Sequence, residues 1–352
     1  MSRRFTVCKR PFAPSKPGIA SWLAALLTPF AAAVGFSPFS ARAETDIETP
    51  ACLVAVEWSP ARPARPDEDK TTAPMRSFAV PAGEGGVLAC VAPEGAAPGK
   101  APVPVSAPGA TFTVLDDGAG SGFWLVQLTS EGGDDADSNA APDASIAPPE
   151  FAGLDREMGK PGHPAVVFLP SRDDDDAATA VKGRFAGHEH PGWNPGAEED
   201  RARLRFRFAK PGVPACGPVF DDEGRFVALL LPPRPDGADD GLRRGIAAGL
   251  VAKAARDHRI LGREAGVRLG VQFASDTRLP RILSVRPGSA AERAGLRAGD
   301  IVIGLAEQDI ESLPNLMEVT ETLTAGVAVE VETLRGTRRV TAKITPELAP
   351  EP

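Results

Sequence analysis

The apolar positions of the chain fall into two rhythms. From residue 51 to residue 231 they come as short runs rich in Val, Leu, Phe and Trp, broken by Gly, Pro and Asp. That pattern predicts strands over 51–58, 77–80, 86–91, 111–115, 123–129, 164–169, 180–185, 204–208 and 226–231. Asp-Asp-Gly-Ala-Gly-Ser-Gly at 116–122 and Asp-Asp-Glu-Gly at 221–224 each join two runs and are hairpin signals. Many short strands between Gly/Pro turns predict a barrel or sandwich. After residue 231 the rhythm changes. Leu242, Ile246, Leu250, Val251 and Ala254 repeat at helical spacing. Asp239 and Asp240 stand where a helix start favours acids, and Arg256, His258 and Arg259 where a helix end favours bases. This helix is expected to close the β-rich region and lead into a last module of about 85 residues, an ordinary size for a small domain.

The first segment differs from the rest. Arg3, Arg4, Lys9, Arg10 and Lys16 precede an apolar run from Gly18 to Phe36, and Ala41-Arg42-Ala43 follows. Basic start, apolar middle and small-x-small end define a cleavable secretory signal over 1–43. The chain is therefore expected in the periplasm or outside the cell, with no stable membrane span after cleavage. Residues 131–150 lack periodicity and read as a flexible insertion.

Charge and composition narrow the classes of function. The net charge is −8, but the acid-free residues 1–43 conceal a balance of 33 basic against 47 acidic residues beyond them. Such a chain has no general attraction for nucleic acid or anionic lipid. Tyr is absent and aromatics are 6%, which argues against a base-stacking platform. The four consecutive acids Asp173 to Asp176, and Asp134, Asp135 and Asp137, lack the alternation of a calcium loop and read as solvated loops. The His188/His190 pair has no third ligand. Neither a metal site nor a cofactor is expected.

The last module carries the sharpest motif. Residues 285–303 read Val-Arg-Pro-Gly-Ser-Ala-Ala-Glu-Arg-Ala-Gly-Leu-Arg-Ala-Gly-Asp-Ile-Val-Ile. Ser289 with Glu292 makes a capping box, Gly295 ends the short helix, and Gly299-Asp300 turns into a strand over 301–305. Upstream, Val267 to Ala274 reads as loop then strand. Downstream, 312–323 is helical and strands follow over 327–334 and 339–344. This order resembles a PDZ domain of the bacterial permuted type, over 263–347. The resemblance implies a groove that takes extended peptides or protein C-termini as an added strand. Arg268, Leu269, Gly270 and Val271 match the carboxylate-binding loop, Val271 to Ala274 with Phe273 the pairing strand, and Leu316, Val319 and Leu323 the opposite wall.

The order of signal, β-rich region, helix and PDZ module resembles the HtrA (DegP-like) family of serine proteases. That implies a mostly β fold: a trypsin-like double β-barrel over 44–240, a helix and linker over 241–262, and a C-terminal α+β PDZ domain. Pro-Gly-Val-Pro-Ala-Cys-Gly-Pro at 211–218 resembles the family's nucleophile segment and puts Ala215 at the serine position. Phe123-Trp-Leu-Val-Gln-Leu resembles the strand after the aspartate, with Gly122 at the acid position. Val87-Leu-Ala-Cys-Val resembles the histidine segment, with Cys90 there. Asp116 or Asp117 is a second candidate for the acid. Two facts stand apart from register: no His occurs between Glu44 and Gly162, and no Ser between Arg172 and Ala274. A triad acts as a unit, so losing nucleophile and base together removes the serine-protease mechanism.

The expectation is an exported HtrA-like pseudoprotease that binds peptides as an adaptor, regulator or holdase. The resemblance also implies a trimer, and a regulator role would take an active protease relative as partner. Two alternatives remain open at the sequence. One is a peptidase using Cys216, with His163, His188 or His190 as its base. The other is a PDZ component of a secretion or envelope assembly. If the family matches hold, Cys90 and Cys216 lie where the two barrels meet, which makes them the expected disulfide among Cys52, Cys90 and Cys216.

Overall fold

Twelve short strands build two adjoining β units, and the computed structural model shows how they pair. It describes residues 50–61, 75–83, 85–105, 109–119, 121–130, 149–150, 161–170, 178–188, 204–208, 216–233, 241–274 and 279–350. The predicted signal, the 131–148 segment, both acidic runs, His190, Ala215, Asp239 and Asp240 lie outside the described residues. Ile47–Pro352 forms one compact unit.

The first β unit contains β1 (Val54–Trp58), β2 (Met75–Pro81), β3 (Val87–Cys90), β4 (Val103–Pro104), β5 (Ala110–Asp116) and β6 (Trp124–Ser130), in the order β4-β1-β2-β3-β6-β5. Every pair is antiparallel. Its outer strands β4 and β5 are neighbours, so the sheet curls back on itself. Successive strand residues face opposite sides. Val54, Val56 and Trp58 therefore fill the inside with Leu88, Cys90 and Trp124, while Ala55, Ala89 and Leu125 face outward into a second apolar cluster. The Trp58 and Trp124 rings meet edge-on at 5.6 Å, and Trp58 Nε1 donates to Ser77 Oγ at 2.8 Å.

The second unit is a closed barrel. Its strands are β7 (Pro164–Pro170), β8 (Ala178–His188), β9 (Leu204–Phe208), β10 (Gly217–Phe220), β11 (Phe226–Leu230) and β12 (Leu242–Ala247), in the order β10-β11-β12-β9-β8-β7. Val167, Val181, Phe185 and Phe206 fill it. Gly183 is a place where no side chain fits: a Cβ there would lie 2.4 Å from Phe208 Cδ1.

One sequence expectation fails here. Leu242 and Ile246 were to begin a helix, yet both lie in β12, and α1 runs Ala248–Leu261. The barrel therefore extends to Ala247 instead of ending at 240. Spacing of four residues fits helix and strand alike, and the ladders to β9 and β11 on both sides decide for strand. The N-cap of α1 is Ala247, and its first turn carries no acid. The basic end, His258 and Arg259, is as expected. Gly262 closes the helix with φ +72° and donates to His258 O at 3.0 Å.

The last module comprises β13 (Val267–Arg268), β14 (Val271–Phe273), β15 (Ile282–Val285), α2 (Ala290–Arg293), β16 (Ile301–Leu305), β17 (Gln308–Asp309), α3 (Leu313–Glu321), β18 (Val329–Arg335), β19 (Arg338–Ile344) and β20 (Glu347–Leu348). A four-stranded sheet β17-β16-β18-β19 is joined by the ladders β14–β15 and β13–β20. Ser289 Oγ accepts from Glu292 N at 3.3 Å, as the motif predicts, whereas the Glu292 carboxylate reaches Gly288 N at 2.7 Å, one residue before the expected partner. Asp300 is buried and accepts from Arg297 N and, bidentately, from Arg335 at 2.8 Å. Those hydrogen bonds, Arg335 foremost, hold its carboxyl below the ordinary range against the opposing effect of burial.

Candidate functional site

Two places were singled out by the sequence: the junction of the barrels and the PDZ groove. The junction is apolar. Phe123 and Leu125 from β6 and its approach meet Val166, Phe168, Phe220 and Ile246 of the second barrel, with Ala248, Val251, Ala254 and Ala255 of α1 packed against them. Phe168 and Phe220 touch edge-on at 5.7 Å.

The positions that the motif matches assigned to a triad separate in a way those matches did not foresee. Cys90 is fully buried and faces the interior of the first unit, beside Trp58 and Trp124. Gly122 is exposed, with φ +80°, and a Cβ on it would lie 3.5 Å from Ile246 Cδ1 across the junction. Cys216, next to Ala215, is 6% exposed, and its Sγ lies 3.7 Å from Val91 O. Cys216 and Val91, from two of the matched segments, thus come together.

The expected Cys90–Cys216 disulfide is absent: Cys52, Cys90 and Cys216 are free thiols. Cys90 and Cys216 belong to different apolar clusters, one inside the first unit and one at the junction. Burial pushes the Cys216 thiol up to about 12, and burial together with the neighbouring Cys216 pushes Cys90 up as well. Thiolate, the nucleophilic form, is therefore a trace species at neutral pH.

Of the histidines named as bases for Cys216, His163 and His188 lie elsewhere, and His190 is outside the described residues. A Cβ on Gly217 would abut Phe168 O, near the far end of β7, whereas His163 precedes that strand. Five residues of strand separate those levels by roughly 16 Å. His188 lies beyond Arg184, which pairs with Pro164, so it too sits at the wrong end. His163 faces Asp222 at 3.6 Å. His188 faces Glu318 of α3 at 3.8 Å. Asp116, the second acid candidate, is engaged twice: Oδ1 accepts from Gly118 N at 2.7 Å, shaping the hairpin, and Oδ2 lies 3.4 Å from His258 Nε2 on α1. Among the described residues, no three His, Cys, Asp or Glu side chains are grouped to hold a metal ion.

The PDZ groove is built differently. β14 has one ladder partner, β15, among the described residues, which leaves its other edge for an added strand. Gly270, at φ +83°, lies so close to α2 that a Cβ would sit 2.2 Å from Ser289 Cβ. The carbonyls of Leu269 and Gly270 accept from Ala291 N and Arg286 N, while the Leu269 and Gly270 N–H groups donate to nothing among the described residues. Leu269, Val271 and Phe273 are half-buried and form the apolar surface on the strand side. Leu316, Val319 and Leu323, expected as the opposite wall, are at most 3% exposed and pack into the domain core, with Leu323 just past the end of α3.

Several contacts were missed from the sequence. α3 meets the second barrel through His188–Glu318, and Arg256 Nη1 of α1 reaches Thr324 Oγ1, just past α3, at 3.5 Å. Buried Lys253 donates to Asp257 and, at 2.7 Å, to Ala265 O, while Ala265 N donates to Asp257 Oδ2 at 3.1 Å. This network ties α1 to the PDZ entry, and its i,i+4 spacing was a readable signal. Arg268 is an ion-pair partner of Glu347, a contact that no motif announced.

The comparisons with known proteins agree on the last module. Residues 267–345 match the PDZ domain family. No curated protein matches the chain significantly. Solved structures aligning over most of it include the HtrA-type protease AlgW with a decapeptide, at 14% identity, 86% of this chain, 96% of that chain and TM-score 0.42. AlgW with a tripeptide aligns at 12% identity over 86% and 95%, with TM-score 0.42. A serine endoprotease from Yersinia pestis aligns at 11% identity over 85% and 94%, with TM-score 0.38. Likeness that low leaves the β region resting on its own strand pairing: two adjoining six-stranded antiparallel units, the trypsin-like plan. The chain is a trypsin-like double β unit ending in a PDZ domain.

Proposed function

We propose that the chain is an exported, non-hydrolytic HtrA-like protein that captures extended peptide segments in its PDZ groove, with the double β unit as scaffold. The observation that carries this reading is the contrast at Cys216. The one nucleophilic side chain beside the serine position is buried, its thiol is pushed up to about 12, and its Sγ is directed at a backbone carbonyl. A cysteine peptidase needs a thiolate beside a base. With no His between Glu44 and Gly162 and no Ser between Arg172 and Ala274, serine chemistry lacks its groups as well. The free β14 edge and the unused N–H groups of the Leu269-Gly270 loop support capture by strand addition.

An adaptor or holdase for envelope proteins is the role such a surface serves. Capture is tested by passing reduced, carboxymethylated α-lactalbumin over the immobilised chain. Retention by the chain and its loss in Gly270→Asp is the expected result; equal retention by both removes the groove from the account. Export is tested by N-terminal sequencing of the protein recovered from the cell envelope, which is expected to begin at Glu44. A chain recovered with Met1 to Ala43 intact contradicts export with cleavage.

A further inference from the structure

The mouth of the groove carries an acid that changes what the groove reads. β20 pairs with β13 so that Glu347 stands directly opposite Arg268, which puts both side chains on one side of the ladder. Ala349 N donates to Gly266 O at 2.9 Å and extends the pairing. One oxygen of Glu347 takes Arg268 Nε at 3.3 Å, and the other takes Arg293 Nη2 of α2 at 2.8 Å. Arg293 is fixed further by donating to Gly288 O at 2.6 Å. The Arg293 hydrogen bond, with Arg268 adding charge, holds the Glu347 carboxyl below its ordinary range, so it stays ionised at neutral pH.

Arg268 begins the loop whose Leu269 and Gly270 N–H groups donate to nothing among the described residues. A ligand's terminal carboxylate has two sources of compensation there, those N–H groups and a neighbouring cation. Glu347 takes up the cation.

We propose that Glu347 is a specificity-determining residue: by engaging Arg268 and Arg293 it removes the advantage of a free terminal carboxylate, so the groove accepts internal extended segments nearly as well as chain ends. This rests on the peptide-capture reading above and sharpens its ligand class. Internal stretches of unfolded proteins, which end in no carboxylate, become ordinary ligands. Glu347 acts through Arg268 and is a positioning residue, since its own carboxylate repels the terminus it discriminates against.

The test uses one pool of decapeptides with four randomised C-terminal positions, synthesised once as free acids and once as C-terminal amides. Each pool is passed over the immobilised chain, and the acid-to-amide retention ratio is read by mass spectrometry. The wild-type ratio is expected within two-fold of unity. Exposed ion pairs are weak, so Glu347→Gln is expected to raise the ratio roughly three- to five-fold. The double variant Glu347→Gln/Arg268→Gln is expected to return it to the wild-type value, which a purely structural role of Glu347 does not predict. A wild-type ratio above ten, or an unchanged ratio in Glu347→Gln, overturns the assignment while leaving peptide capture intact. Retention of neither pool by any variant removes peptide capture itself, and this inference with it.

Discussion

The barrel junction and the mouth of the PDZ groove are both places where the chain's layout leads one to look for function, and they are built from opposite materials. The junction is filled by Phe123, Phe168, Phe220 and Ile246, and the thiol of Cys216 is buried among them. The groove mouth keeps Arg268, Glu347 and Arg293 in contact with water and leaves backbone N–H groups unused. Covalent chemistry needs a group that changes protonation near neutral pH beside a base that can take the proton. Strand addition needs only an open edge and shaped pockets. The same fold can therefore lose the first function and keep the second, because different residues carry them.

The comparison can be broken by mutation. Removing packing at the junction is expected to have the largest effect: Phe168→Ala should cost about 4 kcal/mol, read from denaturant midpoints, because it empties the contact between barrels. A loss below 1 kcal/mol would mean that the junction is loose enough to admit a substrate. Gly270→Ala comes next. Its Cβ collides with Ser289, and the left-handed backbone adds strain, so a cost of about 3 kcal/mol to the PDZ transition is expected, with the β unit unaffected. Asp300→Ala is expected to cost about 2 kcal/mol by removing the Arg335 fork.

Acid titration sharpens the same contrast. The Asp300 carboxyl is depressed in the folded state, so its contribution is complete above the unfolded value near 4 and is lost as pH falls through the folded value. Melting of the PDZ domain is expected to weaken below pH about 4, and Asp300→Asn is expected to flatten that slope. The smallest effect is chemical: Ellman's reagent should leave Cys90 and Cys216 unmodified until denaturant is added, since both are buried and their thiols are raised. Rapid modification of Cys216 in the native chain would contradict the sealed junction.

Much of the fold was legible because burial writes itself into alternation. The strands around Val54–Trp58, Leu204–Phe208 and Phe226–Leu230 stand where apolar runs and turn residues put them. Leu242–Ala247 was misread because four-residue spacing does not distinguish strand from helix when flanking ladders decide. β4 and β20, two residues each, are too short to carry any period. At the candidate site, the turn at Gly270 was legible because the position answers a local requirement for a residue without a side chain. The Arg268–Glu347 pair was not, because 79 residues separate the partners and only the β13–β20 ladder joins them. The free thiols were misjudged for a similar reason: which cluster Cys90 faces depends on strand register, which family spacing does not reveal.

The central claim is that this chain captures unfolded segments without cutting them. Its most direct test is to incubate the purified chain with reduced β-casein, recover the complex, and sequence the casein by mass spectrometry beside a Cys216→Ala control. The account predicts bound casein of full length, identical with both proteins. Casein fragments that accumulate with the wild-type chain and disappear with Cys216→Ala would contradict it.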